Sequence, residues 1–150
     1  AGCLHAYGML GPYDSIPWWD VVTHAVSAAL VAALAYAALL VAASGPVAGW
    51  TVAFTLAAGV FWELIELVAR EVGDRYDVEP VLVHYGWRDT AGDLVVDVAG
   101  ALVVVLADVR AFVPVAEQLP GATGPLLAGT TAVFVGGSVA MGLVVGVARL

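Results

Sequence analysis

Four long apolar stretches constrain this chain more than any other feature of its sequence. They cover residues 21–43, 47–69, 91–109 and 126–148. A hydrocarbon core about 30 Å thick needs about 20 helical residues to cross it, and each stretch comes within a few residues of that length. The stretches are too long and too rich in alanine and leucine to be strands. The sequence therefore predicts an all-α fold: a polytopic membrane helical bundle of about four transmembrane helices, in a single integral membrane domain over residues 1–150.

Composition argues against the soluble alternatives. Hydrophobic residues make up 62% of the chain and charged residues only 12%, whereas soluble domains have roughly 45–50% and 25%. A soluble helix bundle needs polar outer faces, and residues 25–43 and 124–148 offer no such face. Cys3 is the single cysteine, so a disulfide framework is excluded. The net charge of −8 argues against nucleic acid as a partner, because phosphate binding needs a basic face.

The arginines predict how the chain lies in the cell membrane. With four crossings, residues 1–19, 70–90 and 149–150 share one side of the bilayer. That side holds four of the five basic residues, and the other side holds only Arg110. The positive-inside rule then places residues 70–90 in the cytoplasm of a multi-pass protein. Residues 110–125, which contain three prolines, are expected to be irregular.

Ionisable side chains inside the apolar stretches fall into one layer of the bilayer. They come in pairs three or four residues apart, so each pair shares a helix face; the pairs are Asp20 and His24, Glu63 and Glu66, and Asp93 and Asp97. At 1.5 Å per residue, all six lie within about a third of the bilayer depth from one interface. Ionisable residues in a membrane are costly and therefore indicate function by default. The pattern predicts one acidic pocket that opens to one side.

An acidic pocket of this kind predicts a bound cation. Carboxylates crowded together in a low dielectric either take up protons or recruit a positive ion. Oxygen ligands with one imidazole suit Mg²⁺, Mn²⁺, Zn²⁺ or Fe²⁺. We therefore expect a divalent metal ion as cofactor, used for chemistry on lipid head groups. The candidate ligands are His24, Glu63, Glu66, Asp93, Asp97 and Asp20. No catalytic residue and no enzyme class follows from the sequence.

Two other functions stay open at this point. In a structural or accessory membrane subunit, the same residues would form a hydrogen-bonded network between helices, with Glu66 and Arg70 paired one turn apart. A proton- or cation-handling module would need no tightly bound metal. Membrane lipids are the expected partners, and a second copy of the chain or another membrane protein is a further one. His5 is a weaker candidate for the mouth of the pocket.

Three motifs carry a resemblance to known families. They are Asp20-Val-Val-Thr-His24, Trp62-Glu63-Leu-Ile-Glu66 and Asp89-Thr-Ala-Gly-Asp93-Leu-Val-Val-Asp97-Val-Ala-Gly100. Over about residues 18–105 the chain resembles the small YjdF-type inner-membrane proteins of unknown function and, less closely, the VanZ-like (teicoplanin-resistance) proteins. It has Glu66 and Asp97 where VanZ-like proteins have an amide side chain. The resemblance implies an α-helical membrane fold with a shared polar site and no established reaction.

Overall fold

The computed structural model describes residues 2–16, 18–42, 45–78 and 86–148. Most of these residues lie in seven helices: α1 (Gly2–Gly8), α2 (Pro12–Ser15), α3 (Trp19–Ala42), α4 (Val47–Tyr76), α5 (Trp87–Leu106), α6 (Val113–Ala116) and α7 (Pro120–Ala148). The described ranges contain no strand. The all-helical fold that the apolar stretches predict is therefore confirmed.

Three of the helices are long and apolar enough to cross a membrane. They are α3, α4 and the part of α7 from Pro120 to Gly146. The sequence predicts about four such helices. The remaining long helix, α5, has 20 residues but carries Asp89, Asp93 and Asp97, so its composition alone does not mark it as a span.

The helix α4 extends beyond the apolar stretch that predicts it. The apolar stretch predicts it over residues 47–69, but it continues to Tyr76, since a helix need not end where its apolar residues end. Arg70 Nε also lies 3.9 Å from Asp74 Oδ2 one turn further on. Asp77 ends the helix in the left-handed conformation, with φ of 52°. Much of the predicted loop 70–90 is thus helical, and its residues 79–85 lie outside the described part of the chain.

The bounds of the other long helices differ from the apolar stretches by smaller amounts. α3 begins at Trp19 instead of 21, and α5 runs from Trp87 to Leu106 instead of 91–109. α7 begins at Pro120 instead of 126, because a proline at the first helical position already has the helical φ angle. Pro125 lies inside α7, where it costs one backbone hydrogen bond near the helix start. The interval 110–125 is therefore partly helical, not irregular throughout.

The helix α3 lies at the centre of the bundle and packs against α4, α5 and α7. Its contact with α5 is close because both helices present small residues there. A Cβ atom added at Gly100 would lie 3.1 Å from the Ala25 carbonyl oxygen, and Ala32 and Ala101 are both fully buried. Small residues let the backbones of membrane helices approach each other. This approach places the acidic face of α5 next to the start of α3.

Candidate functional site

Three helices bring their ionisable side chains to one end of the bundle. We call this group the acidic cluster; its members are Asp20 and His24 on α3, Glu63 and Glu66 on α4, and Asp93 and Asp97 on α5. Three of its carboxylates are almost fully buried: Glu63 and Asp93 are 5% exposed, and Asp97 is 4% exposed. Carboxylates buried to this degree need charge partners or hydrogen bonds.

His24 lies at the centre of the acidic cluster. Its Nδ1 is 3.2 Å from Asp97 Oδ1 on α5. An ionised Asp97 carboxylate can only accept this hydrogen bond, which requires the proton on Nδ1 of His24. The opposite ring nitrogen, Nε2, lies 3.9 Å from Asp20 Oδ1 and 3.9 Å from Glu63 Oε1. With Nδ1 protonated, Nε2 of the neutral ring has a lone pair available for a ligand.

Three members of the acidic cluster have the geometry of a metal site. Asp20, His24 and Asp93 each offer one ligand atom, and these atoms lie within 4.8 Å of one another. Neighbouring ligand atoms around one Mg²⁺ or Zn²⁺ ion are about 3–3.5 Å apart, so the three side chains would have to move inward to close the group around an ion. The three residues could therefore hold a metal.

The other candidate ligands have different neighbours. Asp97 bonds the Nδ1 side of His24, away from the nitrogen that is free to ligate. Glu66 accepts a hydrogen bond from the indole Nε1 of Trp62 at 2.7 Å, one turn back on α4. Glu63 faces Nε2 of His24 and is the nearest further carboxylate. The structure thus brings residues of all three helices together at His24.

Gly59 makes room for the Asp97 carboxylate. A Cβ atom added at Gly59 would collide with Asp97 Oδ2, and it would also lie 3.1 Å from a methyl carbon of Leu94. Thr51, Thr55 and Gly59 continue the buried face of α4 that ends in Glu63. The spacing of four between these residues indicated the shared face, but only the packing shows that a side chain at position 59 would displace Asp97.

An apolar cavity adjoins the acidic cluster. Its volume is about 440 Å³, and α3 and α4 form most of its walls, with single residues of α5 and α7 and two of α1. Most of its lining is apolar, including Val31, Phe61 and Phe134. His24 and Asp97 form part of the wall at one end. A molecule in the cavity would therefore contact both hydrocarbon side chains and the His24–Asp97 pair.

Of the short N-terminal helices, α1 contributes to the cavity lining, near His24. His5 of α1 lines the cavity, as the sequence suggested for the pocket mouth. Tyr13 Oη lies 2.6 Å from His5 Nδ1 and 3.2 Å from Thr23 Oγ1, and the Thr23 hydroxyl donates to the Asp20 carbonyl oxygen. Each hydroxyl has one proton, so the chain of bonds runs from His5 through Tyr13 and Thr23 to Asp20. Burial lowers the pKa of His5, with the nearby His24 as a second cause, which favours its neutral form.

Comparison with known protein families agrees with this membrane architecture. The model of one family, described as predicted membrane protein (DUF2238), matches residues 1–113. The chain belongs to the DUF2238 family. The matched region of this DUF2238 protein includes all six residues of the acidic cluster and ends before α7. No curated protein and no solved structure matches the chain. Family membership and the three apolar helices together indicate a membrane location.

The structure also shows polar contacts at the other end of the bundle that sequence reasoning missed. The Tyr36 hydroxyl donates to Asp108 Oδ1 at 2.7 Å, and Arg110 Nε lies 2.8 Å from Asp108 Oδ2. These bonds hold the pKa of Asp108 below its ordinary value, with Arg110 as the larger cause and Tyr36 as the next. The sequence contained a signal for the ion pair, because Asp108 and Arg110 are two residues apart. It contained none for Tyr36, which is 72 residues away.

Proposed function

We propose that this chain is a multi-pass membrane protein that binds one divalent cation within the bilayer, at Asp20, His24 and Asp93. The observation that carries the proposal is the orientation of His24. Its Nδ1 forms a hydrogen bond with Asp97, so its Nε2 faces the other carboxylates of the acidic cluster. A carboxylate that accepts the second N–H of a histidine is the usual outer partner in metal sites, where it fixes the ring and raises its basicity.

We propose α5 as a fourth crossing. Its 20 residues span about 30 Å, the thickness of the hydrocarbon core. Asp93 and Asp97 are buried in the bundle, whereas its most exposed side chains toward its end are apolar: Val95, Val103 and Leu106. An ionisable residue that faces the bundle interior is compatible with a membrane helix. With four crossings, the arginine distribution places residues 70–90 in the cytoplasm, so the acidic cluster opens to the cytoplasmic side.

Charge explains why a cation would be retained in the acidic cluster. Five carboxylates surround one imidazole there, and Arg70, the nearest basic residue along α4, is largely exposed beside Asp74. A buried charge costs several kcal/mol unless it is compensated. A 2+ ion between Asp20 and Asp93 offsets two negative charges, and the neutral imidazole adds a ligand without adding charge. Oxygen ligands with one nitrogen favour Mg²⁺, Mn²⁺, Zn²⁺ or Fe²⁺.

A cation at this depth would supply Lewis-acid chemistry to a molecule in the adjoining cavity. Such a molecule would come from the lipid phase, and the protein would act on its head group. The likeness to YjdF-type and VanZ-like proteins is part of this proposal, because the three motifs that carry the likeness contain all six residues of the acidic cluster. The 150 residues form one membrane domain in this proposal, with lipids as the main partners.

Metal analysis of the purified protein tests the proposal. The chain is purified in mild detergent and loaded with Mn²⁺ or Zn²⁺, and the metal that remains after desalting is measured for wild type, Asp93→Asn and Asp74→Asn. We expect about one ion per chain in wild type and in Asp74→Asn, whose carboxyl is exposed on the cytoplasmic end of α4, and less than about a tenth in Asp93→Asn.

A wild-type protein that retains less than about a tenth of an equivalent of either metal contradicts the proposal. A structural or accessory membrane subunit, with a hydrogen-bonded network between its helices, is then the better proposal. One observation favours that second candidate: Glu66 is already bonded to Trp62 and needs no cation. In that case Asp93→Asn and His24→Gln proteins would fold and assemble like wild type.

A further inference from the structure

The cavity next to His24 has the size and shape of a ligand site. Its volume of about 440 Å³ lies within the range of roughly 300–1,000 Å³ that small-molecule sites occupy. Along α3 its lining runs from Thr23 to Val31, which corresponds to about 12 Å of depth toward the bilayer centre. The deeper wall is apolar, with Ala58 on α4 and Phe134 on α7. This shape fits one hydrocarbon chain that lies along the helices.

The polar end of the cavity presents hydrogen-bond acceptors and therefore favours a ligand that carries a donor. The buried Nε2 of His5 has no hydrogen-bond partner within the described residues, and His5 lines the cavity. The Tyr13 hydroxyl donates its one proton to Thr23, so it accepts a hydrogen bond from His5 Nδ1–H. The other ring nitrogen of the neutral His5, Nε2, is then an acceptor. The Asp97 carboxylate in the same wall is an acceptor as well. A buried acceptor without a partner costs about 1–3 kcal/mol, so a ligand that donates a proton there gains affinity.

The charge of the cavity wall argues against an anionic ligand head, and a cationic head would be repelled by the neighbouring cation of the proposed function. None of the residues that line the cavity is an arginine or a lysine. A phosphate or carboxylate head would meet Asp97 without a basic partner. The cation of the proposed function is already balanced by Asp20 and Asp93, so it leaves little positive charge to attract an anion. A hydroxyl group satisfies the acceptors without adding charge.

We infer that the cavity binds a single-chain amphiphile with an uncharged hydroxyl head, of the class of long-chain aliphatic or isoprenoid alcohols. The hydroxyl lies at the His5 and His24 end, and the chain lies among α3, α4 and α7. The inference rests on the proposed function in one respect, since it places the hydroxyl oxygen beside the site of the cation. Thr55, a polar residue at the deep end, does not compete for the head because its hydroxyl donates to the Thr51 carbonyl oxygen.

Tryptophan fluorescence tests this inference because Trp62 lines the cavity. The protein in lipid nanodiscs is titrated with a long-chain alcohol brominated along its chain, and with the fatty acid and the amine of the same length. Bromine quenches a tryptophan on contact. We expect saturable quenching by the alcohol, with an affinity at least about tenfold higher than that of the acid or the amine.

Two leucine substitutions on α4 separate binding in the cavity from partition into the lipid. Ala58→Leu fills the cavity and is expected to lower the affinity for the alcohol by at least about tenfold. Ala53→Leu, at an exposed position of the same helix, is expected to leave that affinity unchanged. Ser27→Leu fills the cavity from α3 and replaces Ala58→Leu in the test if that variant lowers the yield of folded protein. Equal quenching in the filled variants and in Ala53→Leu overturns the inference, as does tighter binding of the acid or the amine.

Cation content is measured on the same samples. A wild-type protein that holds the cation but is not quenched overturns this inference and leaves the proposed function intact. A protein that is quenched by the alcohol but holds no cation overturns the proposed function and leaves the cavity ligand intact.

Discussion

His24 Nδ1 lies 3.2 Å from Asp97 Oδ1, and the hydrogen bond between them joins α3 to α5 at one end of the bundle. The two residues are 73 positions apart in the sequence, and neither is exposed to solvent to any large extent. This bond fixes which face of the imidazole is free. Much of the proposed chemistry follows from it, because the free Nε2 faces Asp20 and Glu63.

We predict that Asp97 and Asp93 respond differently to the same substitution. Asp97→Asn keeps an oxygen that can accept from Nδ1, so cation affinity should fall by about 10- to 100-fold, as for other outer partners of metal-bound histidine. Asp93→Asn replaces a charged ligand with a neutral amide oxygen, also removes charge compensation for the ion, and should abolish binding at the same concentrations. Titration of each variant with Mn²⁺ by calorimetry measures both effects. Equal losses in the two variants would show that Asp97 is itself a ligand.

We predict that chelation destabilises wild type and spares Asp93→Asn. An ion present at a hundred times its Kd stabilises the folded protein by about 2.7 kcal/mol, and the variant does not bind it. Thermal unfolding in detergent, with and without a chelator, provides the comparison. Without an ion, Asp93→Asn should be at least as stable as wild type, because it removes a buried negative charge. Chelator-insensitive unfolding of wild type would contradict a structural role for the ion.

We predict that Gly59→Ala is destabilising and Gly49→Ala is not. The new Cβ at position 59 meets the Asp97 carboxylate, and overpacking of this kind costs about 1–3 kcal/mol. Position 49 on the same helix has open space around it, so alanine there should be neutral or stabilising by up to about 1 kcal/mol through its helix propensity. Unfolding temperatures of the two variants decide the matter. Equal effects would mean that α4 and α5 are further apart than described.

We predict a pH-dependent contribution from Asp108. Its pKa is lower in the folded protein than in the unfolded chain because Arg110 and Tyr36 bond the ionised form. The contribution is therefore complete above the ordinary carboxyl pKa and is lost as the pH falls through the lowered folded value. Asp108→Asn should lower the unfolding temperature at neutral pH, and its difference from wild type should shrink below about pH 4. Glu117→Gln, at another exposed acid, should show no such convergence.

The sequence was sufficient to predict the membrane class and the meeting of the acidic residues. Spacing gave the shared faces of Asp20 with His24 and of Asp93 with Asp97, and helix rise gave their common depth. Helix ends were less predictable, since the apolar stretch of α4 stops at residue 69 while the helix continues to Tyr76. A membrane boundary and a helix boundary have different physical causes.

Other features of the site depend on packing that no local pattern encodes. The sequence treated Asp97 and Asp93 as equivalent because they share one stripe of α5. The different roles that we propose for them rest on the ring orientation of His24. The bond between His5 and Tyr13 likewise arises from two short helices that the sequence did not indicate.

Electron spin echo spectroscopy of bound Mn²⁺ measures most directly whether His24 ligates a cation. A nitrogen of the imidazole bound to Mn²⁺ modulates the echo, whereas oxygen ligands and water do not give the ¹⁴N pattern. We expect that pattern in wild-type protein in nanodiscs and in Asp74→Asn, and its loss in His24→Gln. Bound Mn²⁺ without ¹⁴N modulation in wild type, or with the same modulation in His24→Gln, would contradict the assignment of His24 as the ligand.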